Sequence, residues 1–229
     1  MPIGPSRRTV ARRLESVTDF SDPSPTLEQY LTPAEIAAHI AHLASVQGDL
    51  TDHLVLDLGT GTGMLALAAG QYVPRDVIGI DVDRKALEAA VANESRLTSS
   101  PASSRHHWLC ADVTQLPMTR ATLESGNERV TVVSNPPFGA QRGNRHADKP
   151  FLLAASRLAD VSYTIHNAGS QSFVESLATD HGGTVTHAFA ATFPIHHQFA
   201  FHEDDARTLE AEVFRIEWRR SGGETVGST

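Results

Sequence analysis

The stretch Asp57-Leu58-Gly59-Thr60-Gly61-Thr62-Gly63 decides the fold. It continues an apolar run at 53–58 that reads as a first strand, and it ends at Met64, where a helix is predicted to begin. Closely spaced glycines between a strand and a helix let a ligand approach both the backbone and the helix N-terminus. Working outward, residues 77–80 read as a second strand closing in Asp81, about twenty residues beyond the glycines. That is the separation at which a βαβ nucleotide-binding unit offers a carboxylate to ribose hydroxyls. A helix over 83–94, strands over 106–110 and 130–134, a helix over 148–158, a strand over 161–166 and a helix over 167–179 follow. Segments 184–193 and 209–218 read as a closing hairpin, with alternation at Val213, Arg215 and Glu217. The expected class is α/β, Rossmann-like and mostly parallel, with a C-terminal antiparallel hairpin. Upstream, Thr32-Pro33 reads as N-cap and first residue of a helix whose Ile36, Ile40 and Leu43 share a face over the glycine loop.

The fourth strand runs into Asn135-Pro136-Pro137-Phe138. One reading is a plain turn, since these residues punctuate loops in any protein. A second reading comes from the order of the motifs, because the tetrapeptide follows a glycine loop and two strand-end acids, Asp81 and Asp112. The amine of adenine, or an amide nitrogen, is a poor nucleophile because its lone pair is delocalised, so geometry has to activate it. The Asn135 side-chain oxygen and the Pro136 carbonyl can accept its two N–H bonds and bias it towards tetrahedral geometry. Tandem prolines hold those acceptors rigidly, and Phe138 supplies a stacking face. The two motifs together imply transfer of a methyl group to a planar nitrogen. A nicotinamide dehydrogenase shares the strand, glycine turn and distal acid, but it accounts for neither Asp112 nor the tetrapeptide.

Other candidates keep two readings each. Asp57 either satisfies loop amides or positions a cofactor, and Tyr30 either lines a cofactor pocket or packs as core. Arg142, Arg145 and Lys149, in the loop after the tetrapeptide, either contact substrate phosphates or solvate the loop.

A length of 229 residues suits one domain. It is expected over 27–220, with a basic, flexible arm at 1–26 and a flexible tail at 221–229. The net charge is −8, with arginines concentrated near both ends, among them Arg7, Arg8, Arg12, Arg13, Arg215, Arg219 and Arg220. Such a balance argues against indiscriminate nucleic-acid binding and leaves local phosphate contacts open. Lysine occurs only at Lys85 and Lys149, a balance that suits a high-salt cytoplasm. The single cysteine, Cys110, excludes an internal disulfide and reads as a small core residue. No metal site is expected: His106-His107 and His196-His197 are adjacent pairs, and neighbours on a strand face opposite sides. Residues 1–13 lack the apolar core of a secretory signal, and no apolar run is long enough for a bilayer. A cytoplasmic protein is expected.

The chain resembles the methyltransferase-like protein 5 family of ribosomal RNA adenine N6-methyltransferases, in its archaeal form. The residues that carry the resemblance are Leu27-Glu28-Gln29-Tyr30-Leu31-Thr32, the glycine loop, Gly79-Ile80-Asp81-Val82-Asp83, and 135–139 followed by Asp148 and Phe151. It runs from Leu27 to Trp218 and includes Tyr163-Thr164-Ile165-His166. The resemblance implies a class I enzyme with a seven-stranded sheet that uses S-adenosylmethionine to methylate N6 of one adenosine in small-subunit ribosomal RNA. It further implies that Gln29, Thr32, Gly59, Thr62, Met64, Asp81, Asp112 and Val113 bind cofactor, and that residues 135–138 hold the adenine. Tyr30, Asp57, Gly61, Gly63 and Val82 complete the expected cofactor set.

The family resemblance also implies a heterodimer with a small zinc-binding activator protein. The third strand offers a physical reason, since an edge strand carrying Trp108 and Leu109 invites strand addition. An adenine in a duplex cannot reach such a clamp, so the target is expected to be unpaired or flipped. Methylation of a protein glutamine or a DNA amine by the same clamp, and a non-catalytic ribosome-assembly module, are the alternatives.

Overall fold

The computed structural model describes residues 4–97, 104–123, 129–139, 147–195 and 207–219. Seven strands form one sheet: β1 (His53–Leu58), β2 (Asp76–Asp81), β3 (Arg105–Cys110), β4 (Arg129–Ser134), β5 (Val161–Asn167), β6 (Gly183–Ile195) and β7 (Arg207–Trp218). Their order is β3-β2-β1-β4-β5-β7-β6. The first five are parallel, while β7 runs antiparallel to both β5 and β6. The α/β sheet with a C-terminal hairpin is therefore the architecture read from the sequence.

The helices are α1 (Arg7–Leu14), α2 (Ala34–Val46), α3 (Met64–Gly70), α4 (Arg84–Leu97), α5 (Arg120–Leu123), α6 (Lys149–Leu158) and α7 (Gln171–Asp180). Every residue of β1 is buried, as expected for a central parallel strand covered on both faces. Val55 packs with α1, α2 and α3, while Leu54, Leu56 and Leu58 pack with α6 and α7. Among the described residues no helix is long and apolar enough to cross a membrane.

Strand order reverses between β1 and β4, and in such sheets ligands bind at the carboxyl ends beside the reversal. Leu58 and Ser134, the last residues of β1 and β4, are in register. The glycine loop and the Asn-Pro-Pro-Phe segment therefore leave the sheet side by side.

Three expectations need correction. The N-terminal arm is not loosely docked over its described part: Val10 and Leu14 of α1 are fully buried, Ala11 nearly so, and all three join the core with α2 and α3. The chain after α1 is tied down by buried Asn93 of α4. Its Nδ2 donates to the carbonyls of Thr18 (3.1 Å) and Thr62 (3.0 Å), and its Oδ1 accepts from the Thr18 N–H (3.0 Å). Thr32 does not cap α2, whose N-cap position is Pro33 without a side-chain bond. Cys110 is exposed, because among the described residues β3 is an edge strand paired only with β2. Arg215, one of the arginines near the C-terminal end, is buried, and its Nε donates to Asp49 Oδ2 at 2.8 Å. Residues 220–229, and with them Arg220 and the expected tail, lie outside the described residues.

Candidate active site

A cleft of about 470 Å³ opens at the carboxyl ends of the parallel strands. Of the residues expected to hold cofactor, Gln29, Tyr30, Thr32, Asp57, Gly59, Gly61, Thr62, Met64, Asp81, Val82, Asp112 and Val113 all line it. Gly63 instead forms the N-cap of α3, with φ 93°. Asn135 and Pro137 also line the cleft, whereas Pro136 is buried and Phe138 packs against Tyr30. Lys149 is exposed at the start of α6, directly before Pro150 and Phe151 of the lining. Arg142 and Arg145 lie outside the described residues.

The glycine loop is held open by geometry that side chains would spoil. Gly61 has φ 54°, and a Cβ there would fall 2.8 Å from Phe20 Cζ. At Gly59, with φ 70°, it would fall 2.9 Å from Phe151 Cε1. Asp57, 1% exposed, uses Oδ2 to accept from the Thr60 hydroxyl (2.7 Å) and the Ala66 N–H (2.8 Å). Its Oδ1, and the neighbouring Thr62 Oγ1, are buried without a hydrogen-bond partner among the described residues. Burial pushes the Asp57 carboxyl up to about 7, against the pull of those two hydrogen bonds and with a further push from Asp81. Asp81 ends β2, where Oδ2 accepts from the Gly61 N–H (2.7 Å) and Oδ1 from the Asp83 N–H (2.9 Å). Burial raises its carboxyl as well. Exposed Asp112 accepts from both the N–H and the hydroxyl of Thr114 at 2.8 Å, which holds its carboxyl below the ordinary value.

The segment leading into α2 reaches the tetrapeptide and the glycine that follows it. Glu28 Oε2 accepts from the Gly139 N–H at 2.9 Å. The Tyr30 hydroxyl donates to Asn135 Oδ1 at 3.2 Å, and its ring stacks on Phe138 with centroids 5.3 Å apart. Asn135 Nδ2 donates to Thr32 Oγ1 at 2.9 Å. On the other side of the tetrapeptide, Asn167 Nδ2 donates to the Phe138 carbonyl at 3.0 Å. The same N-terminal segment reaches the cofactor side through Gln29, whose Nε2 donates to Asp83 Oδ2 at 2.7 Å.

Phe20 also lines the cleft, and Asp83 and Asn93 hold Gln29 and Thr62 of its lining; of the three, only Asp83 lies in a quoted motif. Phe20 has a local signal of its own, as the one large apolar side chain among residues 18–26.

Two carboxylates, one with a buried orphan oxygen, beside a glycine loop with no room for side chains suit a cationic nucleoside donor. A clamp of amide and carbonyl groups stands next to them. This is a methyltransferase with a Rossmann-like fold and S-adenosylmethionine as its cofactor. The family described as Methyltransferase domain matches residues 55–126. The chain is 30% identical over 212 residues to the rRNA N(6)-adenosine-methyltransferase Mettl5 of Drosophila melanogaster, covering 92% of this chain and 95% of that one. It is 35% identical over 216 residues to the uncharacterised protein MJ0284 of Methanocaldococcus jannaschii, covering 93% and 94%. A crystal structure of a candidate RNA methyltransferase from Pyrococcus horikoshii superposes with a TM-score of 0.78 at 32% identity, covering 93% and 98%. The chain belongs to the METTL5-like methyltransferase family.

Proposed function

We propose that the chain, as the archaeal form of its family, methylates N6 of an unpaired or flipped adenosine in small-subunit ribosomal RNA, in the cytoplasm. The observation that carries this reading is the register of Leu58 with Ser134, which sets the Asn-Pro-Pro-Phe segment beside the glycine loop. S-adenosylmethionine, when bound, supplies an electrophilic methyl group on a sulfonium centre.

The chain's own residues do the rest. Asp81 would offer the ribose hydroxyls a carboxylate, Asp112 and Val113 would take the adenine end, and Asp57, with its orphan Oδ1, would supply negative charge to a cationic donor. Gln29, Tyr30, Thr32, Val82 and Met64 wall the donor, and the glycines let it approach the backbone. Asn135 Oδ1 and the Pro136 carbonyl would accept the two N–H bonds of the target amine and direct its lone pair at the methyl group, whose bond to sulfur breaks as the C–N bond forms. The proton then lost from nitrogen passes to solvent. The Tyr30–Phe138 pair presents the aromatic platform for the base, and Lys149 reaches a flanking phosphate.

The β3 edge is the docking site for the small zinc-binding activator, which adds a strand beside Trp108 and Leu109. The test supplies labelled S-adenosylmethionine with ribosomal RNA, a translation factor and duplex DNA as competing acceptors, with and without the activator. Label in small-subunit RNA, raised by the activator, supports the reading. Label in the protein factor or in DNA replaces it with the glutamine or DNA-amine reading, and no label anywhere favours a non-catalytic assembly module. A monodisperse chain, fully active alone, removes the activator from the account.

A further inference from the structure

A carboxamide activates an amine only if its oxygen, not its NH2, faces the N–H it must accept. Turned by 180°, Asn135 would present a donor to a donor, and the clamp would repel its substrate. Orientation at Asn135 therefore has to be enforced by the groups around it.

Two hydroxyls contact that amide from opposite ends. Thr32 Oγ1 lies 2.9 Å from Nδ2, and the Tyr30 hydroxyl lies 3.2 Å from Oδ1. Either hydroxyl can in principle donate or accept, so hydrogen-bond count alone does not select one orientation. Their chemistry does. An aliphatic hydroxyl oxygen keeps its lone pairs and is the better acceptor, while a phenol delocalises a lone pair into its ring and is the better donor. Pairing NH2 with Thr32 and C=O with Tyr30 uses each hydroxyl in its stronger sense, and the reverse pairing uses both in the weaker. Burial raises the Tyr30 hydroxyl well above its ordinary pKa, so it remains a donor at any working pH. Both hydroxyls are themselves held: Thr32 is buried directly before the start of α2, and the Tyr30 ring is stacked on Phe138. A carboxamide oxygen accepts two hydrogen bonds. Tyr30 takes one, which leaves one lone pair of Oδ1 for the amine.

We infer that Thr32 is a positioning residue for methyl transfer, which, with Tyr30, locks the Asn135 carboxamide with its oxygen turned to the substrate amine. The inference rests on the assignment of Asn135 as an amine clamp. It adds to Thr32 a duty distinct from any contact with the donor.

Thr32→Val keeps shape and removes the acceptor, Thr32→Ser restores it, and Tyr30→Phe keeps the stack and removes the donor. At saturating S-adenosylmethionine, kcat on small-subunit RNA is expected to fall roughly tenfold in Thr32→Val, less in Tyr30→Phe, and to recover in Thr32→Ser. The Asn135 side-chain NH2 resonances, read by NMR without substrate, are expected to shift in Thr32→Val and to hold in Thr32→Ser. They report the lock even if the acceptor is not RNA, which separates this inference from the functional reading beneath it. A Thr32→Val chain that only raises the KM for S-adenosylmethionine, with kcat and the NH2 resonances unchanged, overturns it. If Thr32→Val does not fold, Tyr30→Phe decides: unchanged kcat and resonances there overturn the inference too.

Discussion

Ser134 donates its hydroxyl to the Leu58 carbonyl at 2.8 Å, joining the last residue of β4 to the last residue of β1. One motif loop leaves from each of these residues, so the bond fixes donor side and acceptor side to each other. Removing it with Ser134→Ala is expected to cost about 0.5–1.5 kcal/mol of stability and to lower kcat more than it changes donor affinity. Denaturant unfolding and steady-state kinetics on one preparation check both.

The N-terminal helix is part of the core. Leu14 is fully buried against α2 and α3, so Leu14→Ala is expected to lose about 2–5 kcal/mol. A change within a few tenths of a kcal/mol in urea unfolding would restore the picture of a loose arm.

Asn93 links the chain after α1 to the glycine loop through the carbonyls of Thr18 and Thr62. Asn93→Ala is expected to destabilise the fold by about 1–3 kcal/mol and to weaken S-adenosylmethionine binding in calorimetry, although Asn93 does not line the cleft. Unchanged donor affinity would show that the loop holds its shape without this link.

Asp57 carries a stability signature of pH. Its carboxyl titrates near 7 in the fold because burial disfavours the charge, against about 3.9 in an unfolded chain. Between those values the native state binds more protons than the unfolded state, so this group's stabilising contribution is full below about pH 4 and is lost as pH rises to about 7. Asp57→Asn has no such titration. Its stability relative to the parent chain is expected to rise through that window and to level off above it, as read by thermal melts without donor at several pH values. A flat difference would mean that Asp57 is ionised throughout.

How much of this is legible in the sequence depends on the range of the forces involved. The strands around the glycine loop show as short apolar runs, and strand-end acids and glycines mark where ligands bind, so the sheet and the glycine and acid part of the cleft follow from local pattern. Gln29, Thr32, Met64 and Val113 are instead pointed to by the family resemblance, and lining residues such as Phe20 and Leu65 by neither. Helix α1 does not, because Val10, Ala11 and Leu14 sit among arginines and become core only by docking on α2 and α3. Thr32 before Pro33 has the local chemistry of a helix cap, yet a partner 103 residues away takes its hydroxyl. Cys110 looks like core by residue type, and only the strand order, which puts β3 at the edge, explains its exposure.

The central claim is that Asn135 activates an adenosine amine. The most direct measurement incubates the chain, with and without the proposed activator, with labelled S-adenosylmethionine and unmodified small-subunit RNA, then digests the RNA and identifies the labelled nucleoside, with Asn135→Ala in parallel. The account predicts N6-methyladenosine from the parent chain and none from a variant that still binds the donor. Equal N6-methyladenosine from Asn135→Ala, or label in a different nucleoside, would contradict it.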